Sequence, residues 1–178
     1  EGVVLGAFFD SEKATGEITW EIDGHTIPLN QEYVHYLDER YRRMTEAGMS
    51  VTLIPVNILP PERDPRHPLA HLIHPDTDVE NAPMHHGALN VVEPRGMLYY
   101  KAAMEFIAER YTRPDAKYGL VSAILVGNEL QSHCAWHNMG NAPAEQVIEE
   151  YVSALRVADL AARRFHSKLR IYASMEHH

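Results

Sequence analysis

Cysteine is all but missing from this chain. Cys134 is the only one, which excludes an intrachain disulfide framework and leaves the redox compartment open. Positive charge is scarce as well: 16 Lys and Arg stand against 25 Asp and Glu, a formal net charge of -9. That balance repels a phosphate backbone or an anionic membrane surface, so neither a nucleic acid nor a membrane is expected as partner. No run approaches the roughly 20 apolar residues of a membrane-spanning helix. Gly-rich phosphate loops, the G-x-S-x-G elbow and HExxH are missing too, and no cofactor is expected. Neither the charged n-region nor the apolar h-region of a signal peptide follows Glu1. The chain reads as cut at both ends, with Glu176, His177 and His178 closing a native strand; the start of a purification tag is the rival explanation.

What is present suits a folded protein. With 45% hydrophobic and 23% charged residues, 178 residues can bury a core, and residues 1–178 read as a single domain without internal boundary or repeat. Gly2 to Phe9 is a short apolar run read as a strand. Asp23-Gly24, flanked by Ile18 to Glu21 and His25 to Ile27, supplies the positive φ angles of a type I′ hairpin, expected to decorate the loop after that strand. Asn30 is the candidate N-cap of a helix with apolar positions 33, 34, 37, 41 and 44, ended by Gly48. Ser50 to Ile58 reads as the next strand, with Asn57 at its carboxyl end.

From Leu59 to Arg95 all periodicity lapses, and seven of the eleven prolines and five of the twelve histidines fall there. Loops of that length are usually functional or disordered. Following a strand, this one is expected as a proline-stiffened lid on the ligand-facing edge, with a solvated insertion as the alternative. Met97 to Tyr111 reads as a helix with one apolar face, at 97, 100, 104, 107, 108 and 111. A second polar loop, Gln131 to Gly140, carries His133, Trp136, His137 and Asn138; Asn141 and Pro143 then open a helix to about His166, and Leu169 to Met175 is the last strand.

The stretch VSAILVGNEL, Val121 to Leu130, organises the rest. Ala123 to Val126 are apolar without alternation and read as a parallel strand buried on both faces, ending in Gly127, Asn128 and Glu129. Residues just past such a strand face the ligand, and strand alternating with helix implies a parallel sheet. Asn-Glu after a buried strand resembles the fourth barrel strand of the clan A glycoside hydrolases. Together AGMSVTLIPVNI, LVGNELQSH and IYASMEHH are similar to the bacterial DUF5722 group. The resemblance implies an α/β fold of the (β/α)8 TIM-barrel type. It is incomplete here, with about four parallel strands matched to barrel strands two to five, against eight units in about 250 residues for a whole barrel.

The same resemblance implies an activity. A poly- or oligosaccharide is hydrolysed by retaining double displacement, Glu129 acting as general acid/base and Asn128 binding a sugar hydroxyl. The nucleophile, a Glu after barrel strand seven, would lie beyond His178, and Glu176 is not assigned that role; this chain alone is therefore not expected to hydrolyse. Trp136 is a candidate to stack on a pyranose, a partly buried loop Trp being the equal alternative. Asn57, His133 and His177 are candidates for hydroxyl contacts. A carbohydrate is the expected partner; the sugar, its linkage, endo or exo action, oligomeric state and compartment, secreted or periplasmic among the choices, stay open.

Two other classes compete. His67 and His71, and again His133 and His137, lie four apart, and His85-His86 and His177-His178 add imidazoles, which raises a zinc hydrolase. Spacing of four marks a metal face only on a helix, and both pairs fall in segments read as loops, so no metal is expected. A non-catalytic carbohydrate-binding protein needs the same pocket without a second carboxylate.

Overall fold

The computed structural model describes residues 1–10, 12–60, 64, 66–166 and 168–175, the side chain of His133 excepted. In chain order the elements are β1 (Gly2–Val4), α1 (Leu5–Phe8), β2 (Ile18–Ile22), β3 (His25–Leu29), α2 (Gln31–Glu46), β4 (Thr52–Ile58), β5 (His86–Gly87), α3 (Pro94–Arg110), β6 (Ala123–Val126), α4 (His133–Trp136), α5 (Ala144–Phe165) and β7 (Arg170–Ala173). β1, β4, β6 and β7 pair in parallel in that order, so chain order and sheet order coincide; β5 adds an antiparallel pair at the end of β4. The fold is mixed α/β with a mostly parallel sheet. Among the described residues no helix is long and apolar enough to cross a membrane.

Each parallel crossover carries one long helix, and the three helices lie side by side. Tyr41 of α2 meets Tyr111 edge-on at 4.8 Å, and Arg110 grips Asp38 through two bonds of 2.7 and 2.8 Å. The Tyr100 hydroxyl of α3 donates to the Ala154 carbonyl of α5 at 3.2 Å. Before β6 the chain passes so close over α2 that a side chain on Gly119, at φ +85°, would collide with the backbone of Tyr41 and Arg42. Only glycine fits there.

Register decides which strand residues face this layer. Leu53 pairs with Ile124 and Ile124 with Ile171; with Val3 and Val126 they belong to the core shared with Val34, Leu37, Met104 and Ala158. The alternate set, Ile54, Val56 and Leu125, is half-buried and outside that core, while Tyr172 is 44% exposed. Burial of β6 on both faces is thus corrected at Leu125, because the long helices all lie on the other side of the sheet.

Two further expectations change. The apolar run from Gly2 is a strand only to Val4 and then turns helical. Leu5, Phe8 and Phe9 are buried at spacings of three and four, the helical period, which a short apolar run hides. The hairpin has Asp23 at φ 49° and Gly24 at φ 79°, as its turn requires, yet it does not merely decorate a loop. Its apolar face covers the outside of α3: Trp20 stands edge-on to Phe106 and Phe165, and its Nε1 donates to Glu105 at 3.3 Å. Every residue of α3 from Ala102 to Ala108 is consequently buried, including Glu105, which pairs with Arg164 at 2.9 Å. The single apolar face expected from periodicity becomes burial all round.

Candidate functional site at the carboxyl edge of the sheet

The carboxyl ends of the parallel strands emerge at one edge, where open parallel sheets hold their ligands. β6 delivers Gly127 at φ +66°, then Asn128, then Glu129 at φ +42°. A left-handed backbone costs a residue with a Cβ about 1 to 2 kcal/mol, so Glu129 has to be held from outside its strand. Ser174, just past β7, holds it: the Ser174 hydroxyl accepts the Glu129 N–H at 2.8 Å, and the Ser174 carbonyl accepts the Leu130 N–H at 3.3 Å. Ser174 donates its own N–H to the Tyr151 hydroxyl at 2.9 Å, and that hydroxyl donates to the Val126 carbonyl at 2.7 Å. Burial pushes the Tyr151 phenol up, more than the Ser174 N–H lowers it, so it keeps the proton it donates. The His137 ring, buried, stands edge-on to Tyr151 at 5.7 Å. Glu129 and Asn128 themselves are half-buried at this edge, positioned by β6, β7 and α5 together.

The other predicted residues take varied places. Asn57 is 3% exposed, and its Nδ2 donates to the carbonyls of Leu72 at 2.7 Å and Ala88 at 3.2 Å, both in the long segment after β4. Among the described residues its buried Oδ1 has no partner. Trp136 is partly buried, its ring 5.2 Å from that of His86. His133 opens the helical turn α4, where a loop was expected; its side chain, like the whole of His177, lies outside the described residues. A cavity of about 530 Å³ lies beside Asn57, between α1 and the stretch from His67 to Ile73; Glu129, Asn128 and Trp136 do not line it.

The segment from Leu59 to Arg95 is fastened at this edge. Leu59 N–H donates to the His85 carbonyl, β5 pairs with the end of β4, and Ile73 bridges Leu89. Leu59, Ile73 and Ala82 form a small apolar cluster of its own. Asn90, 1% exposed, donates through Nδ2 to the carbonyls of His71 and Ile73 and to the Glu93 carboxylate, and accepts the Glu93 N–H. Asn138 does the same work from the loop after β6, donating to the Asp78 carbonyl and accepting from Asp78 and Gly140. His74 Nδ1 accepts the Asp76 N–H at 3.1 Å, which places the ring proton on Nε2, 2.7 Å from a Glu150 oxygen of α5. The two atoms are close but poorly aligned for a hydrogen bond.

Among the described residues no three His, Cys, Asp or Glu side chains come together as a metal site. A family model described as a family of unknown function (DUF5722) matches residues 2–178. The chain belongs to this family. No curated protein and no solved structure matches it. The three phrases that carried the DUF5722 resemblance contain β4, the end of β6 with its loop, and most of β7, adjacent strands of one sheet. Ser174 and Tyr151 escaped the reading of this DUF5722 chain. Tyr151 occupies a core-facing position of α5 and reads as packing, while Ser174 is a single small polar residue after a strand.

Proposed function

We propose that this chain is part of a retaining glycoside hydrolase on a clan A (β/α)8 barrel, with Glu129 as general acid/base and the nucleophile on a strand outside this chain. The observation that carries the proposal is Glu129 itself: a carboxylate at the carboxyl end of a parallel strand, preceded by Asn128 and pinned through its backbone to the neighbouring strand by Ser174. Coincident chain and sheet order, and helices gathered on one side, support the barrel. In a closed barrel the half-open face of Ile54, Val56 and Leu125 would be interior. Retention would need a second carboxylate about 5 Å from Glu129, to attack the anomeric carbon while Glu129 protonates the leaving oxygen. A poly- or oligosaccharide is the substrate class, Asn128 and Trp136 contacting it beside the acid/base.

Glu129→Gln in the complete polypeptide tests this. The substitution removes the transferable proton and keeps the shape, so sugar binding is expected to persist while kcat on substrates with poor leaving groups falls by about 10² to 10⁴-fold. Aryl glycosides with good leaving groups should lose far less, and azide should restore turnover by attacking the glycosyl-enzyme without base assistance. Equal activity of the two proteins on a natural polysaccharide would end the assignment; binding without turnover in either would leave a carbohydrate-binding protein.

A further inference from the structure

We infer that Tyr151 and Ser174 are positioning residues for Glu129, a clamp from α5 and the end of β7 that grips the turn after β6 at both ends and so sets where the Glu129 carboxylate stands. The inference rests on the glycoside hydrolase reading of this edge and adds which residues, outside any motif, make Glu129 effective.

The turn from Gly127 to Glu129 carries two left-handed residues, at φ +66° and φ +42°. Glycine takes that backbone freely, whereas a glutamate resists it. Both ends of the turn run to the same clamp. Before it, the Val126 carbonyl accepts the Tyr151 hydroxyl at 2.7 Å; at its close, the Glu129 N–H donates to the Ser174 hydroxyl at 2.8 Å. The Ser174 N–H, donated to the Tyr151 hydroxyl at 2.9 Å, joins the two halves.

Packing alone does not ask for these hydroxyls. Tyr151 is 4% exposed and its ring lies beside Gly127 and His137, a place that the ring of phenylalanine would fill as well. A buried hydroxyl costs stability unless its hydrogen bonds are made, and here both go to the ends of β6 and β7. Ser174 is 6% exposed. Two residues so buried act through the turn and not on a substrate. The cost of a left-handed Glu and the worth of one such hydrogen bond are of the same order, so losing the Ser174 hydroxyl brings the turn near balance with a form in which Glu129 takes an ordinary negative φ. That change redirects the Cα–Cβ bond and carries the carboxylate away, and a misplacement of about 1 Å can cost about 10²-fold in rate.

Ser174→Ala and Tyr151→Phe in the complete polypeptide test this. Amide exchange followed by NMR should quicken at Glu129 by at least about tenfold in either variant, relative to the amides of α3. On phenyl glycosides, which have a poor leaving group, kcat should fall about tenfold. On 2,4-dinitrophenyl glycosides it should fall far less, whereas a smaller folded fraction would lower both rates equally. In the Glu129→Gln background Ser174→Ala should cost almost nothing further, because a positioning residue acts through the group it positions. Circular dichroism melts confirm that the variants fold, and Tyr151→Phe carries the test should Ser174→Ala not. Unchanged exchange at Glu129 in both variants, or an equal loss of kcat with and without Glu129→Gln, overturns the inference. The hydrolase proposal fails separately: full activity of Glu129→Gln, with exchange at Glu129 still quickened by both variants, keeps the clamp and discards the acid/base. Glu129-dependent turnover that neither variant lowers does the reverse.

Discussion

His71 shows how one side chain can register its surroundings. Its Nδ1–H donates to the Pro68 carbonyl at 2.9 Å, its ring stands 4.4 Å edge-on to Tyr99, and Arg95 is near. Burial first and the Arg95 charge second pull its pKa below the ordinary 6.5. The folded chain therefore binds fewer protons at this site than the unfolded chain, and the stability this contributes is present above pH 6.5 and lost as pH falls through the folded-state value. Thermal melts at steps from about pH 7.5 down to 5 should show a Tm that declines with acidity, and His71→Gln should remove part of that decline. Parallel curves for the two proteins would show that His71 contributes nothing to it. At this scale the sequence was partly legible. Asn128 and Glu129 could be placed because four apolar residues and a glycine announce a strand and its end. Their support could not, because Ser174 and Tyr151 lie 45 and 23 residues from the groups they hold, Glu129 and Ser174, and hydrogen bonds of that span leave no local pattern. The left-handed φ of Glu129 is likewise invisible in a residue type that rarely adopts it.

The elements divide into those with a period and the long segment without one. Helices α2, α3 and α5 and the hairpin follow from spacing and turn chemistry, and were legible to within a few residues. The segment from Leu59 to Arg95 reads as an aperiodic, proline-rich loop, and nothing in that reading shows how it is fastened. Three buried asparagines do it: Asn57 from β4, Asn90 ahead of α3 and Asn138 after β6, each spending its side chain on backbone groups. Asparagine is common in loops for simpler reasons, so its presence there signals little. Asn90 is the most informative to remove. Asn90→Ala strands the buried carbonyls of His71 and Ile73 and frees the Glu93 N–H that precedes α3. Unfolding in urea should show a loss of about 2 to 3 kcal/mol. Limited proteolysis should cut between Leu59 and Arg95 faster than in the wild type while the sheet stays protected. Unchanged stability and cleavage would mean that the loop is held by its apolar cluster instead.

At the scale of the whole molecule, burial is uneven, and that fixes where the structure opens last. A parallel sheet with a helix in each crossover is readable from alternating strand and helix; that the three helices cover one side of it is not. The centre of mass of the core was not readable, since α3 looks amphipathic until the hairpin is laid over it. Trp20 of the hairpin closes the outer side of α3, while the sheet's far face, with Ile54, Val56 and Leu125, remains half-open and β7 at the edge is mostly exposed. Local opening is cheapest where few apolar contacts must be broken. Hydrogen exchange should therefore be slowest for the amides from Ala102 to Ala108, intermediate in β4 and β6, and fast in β7. Trp20 is the lever on that order. Trp20→Ala removes its contacts to Phe106 and Phe165 and the hydrogen bond to Glu105, leaving a buried carboxylate with Arg164 as its remaining partner. Loss of a partly buried Trp should cost about 2 to 3 kcal/mol, and protection in α3 should then drop toward that of β6, because the helix keeps its inner contacts and loses its outer cover. Protection in β4 and β6 that outlasts α3 in the wild type would place the stable centre in the sheet and reduce the hairpin to an ornament.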